Sequence, residues 1–309
     1  MINFRYHVVS LTAVFLALAI GLVVGTAALN GPLADSLNDR VNALSQQNQQ
    51  YREQVGHLEQ DVNQKEQFAT AAAPYMLQGK LTGRRVLLLS LPSASKYVDG
   101  VRDMLTTAGA KVTGQVEVED KFTDPASNET LLDLAHTSLP PGVNPPTNSD
   151  GVETSSALLA AALLDHSPAL AADASKAVLT AYREERFITV TGDVTGPAEA
   201  VVLLVGAPYT DREAQKKNAA VVTMADQFDQ AGPIVVGSDS AAGTDNVVAA
   251  LRDDPTLSKT VSTVDNISTV QGRVVVPLVC AEQLRGKAGA YGVGAGATAL
   301  MPKLTQGTG

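Results

Sequence analysis

Apolar residues follow three successive patterns along this chain. Residues 8–29 form an unbroken apolar run without a charge, whose clearly polar members are Ser10, Thr12 and Thr26. As a helix the run would extend about 33 Å, enough to cross the hydrocarbon of a bilayer. A cleaved signal peptide has a shorter apolar stretch and a small-residue cleavage site, so an anchor fits better. Asn30, Gly31 and Pro32 then predict a break, a capping residue followed by a proline suited to a first helical turn. Beyond it Leu37, Val41, Leu44, Asn48, Tyr51, Val55, Leu58 and Val62 recur at alternating spacings of four and three. Val41, Asn48, Val55 and Val62 take the a positions of a heptad; Leu37, Leu44, Tyr51 and Leu58 take the d positions. β-Branched residues at a with leucine at d favour a parallel two-stranded coil, and one asparagine at a sets register. A helix packed on its own domain would carry a wider apolar stripe. This pattern predicts a coiled-coil stalk over 32–73, ended by Pro74.

The third pattern alternates short apolar runs with amphipathic stretches. Runs at 86–91, 112–118, 187–191, 201–205, 234–237 and 274–279 predict strands. Stretches at 95–108, 154–165, 172–186, 212–230 and 245–252 predict helices. Nearly continuous apolar runs suit strands covered on both faces of a mainly parallel sheet. The fold class is therefore α/β: a transmembrane helix, a parallel coiled-coil stalk, then a doubly wound sheet domain over 82–285. Residues 286–309, rich in Gly and Ala, are expected to form a flexible tail.

Flanking charge gives an orientation. Arg5 and His7 precede the apolar run, while Asp35 and Asp39 follow it ahead of Arg40. The bias of basic residues towards the cytoplasm predicts residues 1–7 inside, one span of the plasma membrane, and the main domain outside. Ala17, Gly21 and Gly25 recur every fourth residue, a spacing that lets two membrane helices approach closely.

Composition narrows the chemistry. A net charge of −9, aromatics at 4% and no Trp argue against a nucleic-acid partner, which needs clustered Lys and Arg or stacking platforms. Cys280, the lone cysteine, lies in an apolar run and is expected to be a core residue. His7, His57, His136 and His166 fall in no metal-binding spacing, and the methionines are dispersed. No metal, cofactor or catalytic residue is predicted, and the chain is expected not to be an enzyme. The loop Gly237-Ser238-Asp239-Ser240 after a strand is the candidate ligand site. It lacks both a nucleophile elbow and a Walker lysine, so a capping turn is the simpler reading and a ligand-binding or hydrolytic domain the alternative.

The opening Arg5-x-His7-x-x-Ser10-Leu11-x-Ala13-Val14-Phe15-Leu16-Ala17-Leu18, the stalk, Ser262-Thr263-Val264-Asp265, Gly272-Arg273-Val274 and Tyr291-Gly292 together resemble an actinobacterial family. It is similar to the copper transport protein B (MctB) family, whose corynebacterial relatives are called SteB. Ala290 stands where a His often precedes the Tyr-Gly, which removes a potential metal ligand. The resemblance implies two functions. One is a cell-envelope scaffold or receptor, a homodimer or a hetero-oligomer with a SteA-like membrane partner, controlling a septal peptidoglycan hydrolase during division. The alternative is copper transport or homeostasis. The scaffold is the expectation taken forward, because a coiled stalk serves partner binding directly.

Overall fold

The computed structural model describes residues 4–165, 170–243 and 245–303, side chains at 28–34 excepted. The chain divides into two compact units, residues 1–65 and 66–309. The first unit consists of most of helix α1 (Phe4–Leu77), which begins in the apolar run and continues through the heptads. Two expected breaks are absent: the helix runs on through Asn30, Gly31 and Pro32, and past Pro74 by a further turn. A proline removes one backbone hydrogen bond from a helix but need not end it when the flanking turns are strong helix formers. Phe4–Ala27 is long and apolar enough to cross a membrane, and no part of it is buried within the chain. Its threonine hydroxyls are spent inside the helix. Thr12 donates to the Val8 carbonyl at 2.7 Å, and Thr26 to those of Leu22 and Val23 at 2.9 and 3.1 Å. Such internal bonding is what polar side chains in hydrocarbon require.

The second unit is a seven-stranded sheet with helices on both faces. Its strands are β1 (Arg85–Ser90), β2 (Lys111–Val118), β3 (Ile188–Thr191), β4 (Ala200–Val205), β5 (Ile234–Ser238), β6 (Ser262–Val264) and β7 (Ala290–Tyr291), in the order β3-β2-β1-β4-β5-β6-β7. All pairs are parallel except β2 with β3, where Val116 faces Val190. The helices are α2 (Ser95–Thr107), α3 (Asp120–Thr123), α4 (Asn128–Thr137), α5 (Gly151–Leu163), α6 (Ala172–Glu184), α7 (Ala214–Ala231), α8 (Val247–Asp253) and α9 (Val270–Gln283). Alternate strand residues serve opposite faces. Leu87, Leu89, Leu203 and Val236 pack against α5 and α7 in one core cluster. Val86, Leu88, Val202 and Val235 pack with α2, α9 and Leu77 of α1 in the other. Both faces being covered explains why β1, β4 and β5 read as unbroken apolar runs.

The run at 274–279 is not a strand. It forms the middle of α9, capped by Thr269, whose Oγ1 accepts from Gly272 N at 3.1 Å. Val274 to Cys280 are all buried, and a helix apolar nearly all round hides its 3.6-residue period. The segment 286–303, expected as a loose tail, supplies β7, where Thr263 pairs with Ala290 and Val264 with Tyr291. Residues 304–309 and His166 lie outside the described residues.

Candidate functional site

Parallel strands place their carboxyl ends on one edge, where doubly wound domains commonly bind ligands. Here β1, β4, β5, β6 and β7 end at Ser90, Val205, Ser238, Val264 and Tyr291. The connections diverge between β1 and β4, and there the two turns touch. Gly206 N donates to Ser93 Oγ at 3.2 Å, and a Cβ at Gly206 would lie 2.1 Å from the Ser93 carbonyl oxygen. Ser90 Oγ, at the end of β1, is buried without a partner among the described residues. At the end of β2, burial raises the Glu117 carboxyl above its ordinary range, and Glu119 and Asp120 add like-charge repulsion.

The candidate loop at Gly237 to Ser240 is a closed internal network. Ser238 Oγ donates to the Ser240 carbonyl at 2.9 Å, and Ser240 Oγ accepts from Ala242 N at 2.9 Å. Asn246 donates to the Ser240 and Ala242 carbonyls at 3.0 and 3.2 Å and caps α8 by accepting from Ala249 N at 3.1 Å. Gly237 is packed between Leu204 and Ile267. Asp239 reaches another element, accepting from Tyr97 OH at 3.3 Å. These contacts describe a helix-capping turn in which the Ser238 and Ser240 hydroxyls bond backbone groups.

The motifs Ser262-Thr263-Val264-Asp265, Gly272-Arg273 and Tyr291-Gly292 converge on one buried structure. Asp265 and Arg252 form an ion pair at 2.8 Å, their side chains 0% and 4% exposed. Asp265 Oδ1 accepts from Val293 N at 2.8 Å and Gly294 N at 3.1 Å, and its Oδ2 from Gly294 N at 3.0 Å. Arg252 donates further to Thr263 Oγ1, the Tyr291 carbonyl and the Ala295 carbonyl at 2.8–2.9 Å. A Cβ at Gly292, where φ is +126°, would stand 2.2 Å from Asp265 Oδ1. Gly272 lets the first turn of α9 lie on the Asn266 carbonyl, 2.0 Å from where its Cβ would be. Arg273 donates to the Ile267 and Ser268 carbonyls at 3.1 Å. Tyr291 OH bonds Glu282, and burial followed by that carboxylate raises the phenol above its ordinary range. Every charged group at the centre is spent on another, so the cluster clamps 290–297 to the sheet edge. Sequence reading missed Arg252, because a basic residue in the last turn of a short helix reads as an ordinary dipole partner.

Among the described residues no three His, Cys, Asp or Glu side chains gather in a metal-binding group. Cys280 is wholly buried, and burial pushes its thiol up to about 12, far from the thiolate that binds soft metals. A cavity of about 500 Å³ lies between α6 and residues 192–197, with Asp165 and Leu170 in its lining.

The other unsatisfied feature lies on α1. Leu37, Val41, Leu44, Tyr51, Val55, Leu58 and Val62 are each 52–64% exposed, and Asn48 is exposed among them. Ala17, Gly21 and Gly25 are not on the same face. At about 100° per residue, Gly21 stands about 160° around the helix from both Leu37 and Val41. A Cβ at Gly21 or Gly25 would meet nothing within 4 Å, so this face too is open within the first unit.

Comparison with known proteins places these features in a family. Residues 1–302 match the family described as copper transport outer membrane protein, MctB. The copper transporter MctB of Mycobacterium tuberculosis is 31% identical across 97% of this chain and 99% of its own length. That of Mycobacterium leprae is 32% identical over the same shares. The match runs from the membrane segment through the Arg252–Asp265 clamp, and the chain belongs to the MctB family.

Proposed function

We propose that this chain is a non-enzymatic, membrane-anchored component of a copper-handling assembly of the cell envelope. The observation that carries the reading is the exposed heptad face of α1, in a family whose members bear copper-transport names. A single membrane helix cannot enclose a pore, which needs a helical bundle or a closed barrel, so transport requires other copies or partners. The domain's buried charges are committed to holding itself together, and its one thiol is neutral and enclosed. Assembly, not carriage of the metal on a site of its own, is the contribution that the residues support.

The basic flank at Arg5 supports a cytoplasmic N-terminus with the domain beyond the membrane. The family description speaks of an outer membrane, whereas a single apolar helix suits the plasma membrane. The septal-scaffold reading, with a SteA-like partner and a peptidoglycan hydrolase under control, would use the same heptad face. The names of the relatives support the copper reading instead. Deleting the chain from its host and measuring cell-associated copper separates the two. The copper reading predicts several-fold accumulation, reversed by the full chain. Normal copper with a cell-separation defect would reject it in favour of the scaffold.

A further inference from the structure

We propose that the heptad face of α1 is filled by a second copy of this chain, the two helices parallel and in register at Asn48. The inference rests on the assembly reading above and names what the chain assembles with. Three observations support it. Among the described residues of the first unit, α1 is the sole element, so nothing else in that unit covers Leu37 to Val62. Copies anchored through the same N-terminal span run in the same direction, which excludes an antiparallel pair. Valine at a with leucine at d selects two strands, and Asn48 at a is satisfied by the same residue of the second copy, whose side-chain amide both donates and accepts.

The area suffices. With on the order of 100 Å² of exposed surface apiece, the seven apolar residues would remove roughly 1,400 Å² from water across two copies, within the range of stable interfaces. In this register Gln47 faces Arg52, while Asp61 faces Glu66 and repels it. The seam is therefore tightest from Leu37 to Leu58 and loosens beyond. The pairing also turns Ala17, Gly21 and Gly25 outward, since that face lies on the far side of the helix.

Cysteine crosslinking of the full chain in membranes tests the pairing, with little background because Cys280 is buried. Leu44→Cys and Leu58→Cys, at d, should form diamide-induced crosslinks with about fivefold or higher yield than Gln46→Cys and Gln60→Cys, at f. The crosslinked species should contain only this chain, and adding Gly21→Leu should leave the yield unchanged. Equal yields at d and f, or crosslinks at 44 and 58 to a different protein, would overturn the proposal. Loss of crosslinking on adding Gly21→Leu would also overturn it, by showing that the glycine face belongs to the seam. The readout is independent of copper, so a wrong functional reading would leave the crosslinks in place.

Discussion

Arg252 and Asp265 meet at 2.8 Å with both side chains withdrawn from solvent, and the pair fastens the last strand to the sheet. The carboxylate also takes two backbone N–H groups from the turn after β7, while the guanidinium holds two carbonyls from 291 and 295. Removing one member leaves a buried charge alone, which costs about 3–5 kcal/mol. Arg252→Ala should lower the unfolding free energy of the full chain by that amount in chemical denaturation. A loss below about 1 kcal/mol would place the pair among surface-like ion pairs.

Gly292 belongs to the same clamp. With φ at +126° and Asp265 Oδ1 2.2 Å from where a Cβ would stand, Gly292→Ala should destabilise by about 1–3 kcal/mol or more. Proteolysis should then cut first within 286–303, measured by limited digestion and mass spectrometry. Unchanged protection of that segment would contradict the clamp.

The loop at Ser238 acts through Asn246. Asn246→Ala removes a helix cap and two loop contacts, and should cost about 1–2 kcal/mol by thermal unfolding. Ser240→Ala should leave cellular copper unchanged, since the Ser240 hydroxyl serves only Ala242 N among the contacts found. A copper defect from Ser240→Ala with normal stability would reopen the ligand reading.

Cys280 gives a pH signature. Its folded thiol is raised from 9.0 to about 12, so its stabilising contribution is complete below pH 9. Above pH 9 the unfolded thiol ionises while the folded one does not. Stability therefore falls as pH rises towards about 12, by about 1 kcal/mol at pH 10. Cys280→Ala should remove that part of the slope in denaturation series between pH 8 and 10. An unchanged slope would assign it to the tyrosines instead.

How much of this was legible in the sequence follows from the length and covering of each element. β1, β4 and β5 announce themselves because both faces are buried and their centres carry no polar residue. β6 and β7, three and two residues long, leave no period to read. The valines of α9 imitate a strand because the helix is buried on nearly every side. Asp265 stands at the end of the short motif Ser262-Thr263-Val264-Asp265, which names no partner. Its partner lies thirteen residues earlier on a different element, and no local signal joins them. The heptads are plain in the sequence, and the structure adds that nothing within the first unit covers their apolar side chains. It also adds the phase between Gly21 and Val41, which an expected break at Pro32 had left undefined.

The most direct test of the account compares two kinds of variant in a host lacking the chain, with cell-associated copper as the readout. Leu44→Glu with Leu58→Glu places charges in the seam, whereas Cys280→Ala removes the only thiol. The account predicts that the seam variant accumulates copper like the deletion strain while Cys280→Ala behaves as the unaltered chain. Normal copper with the charged seam, at equal protein abundance, would contradict it.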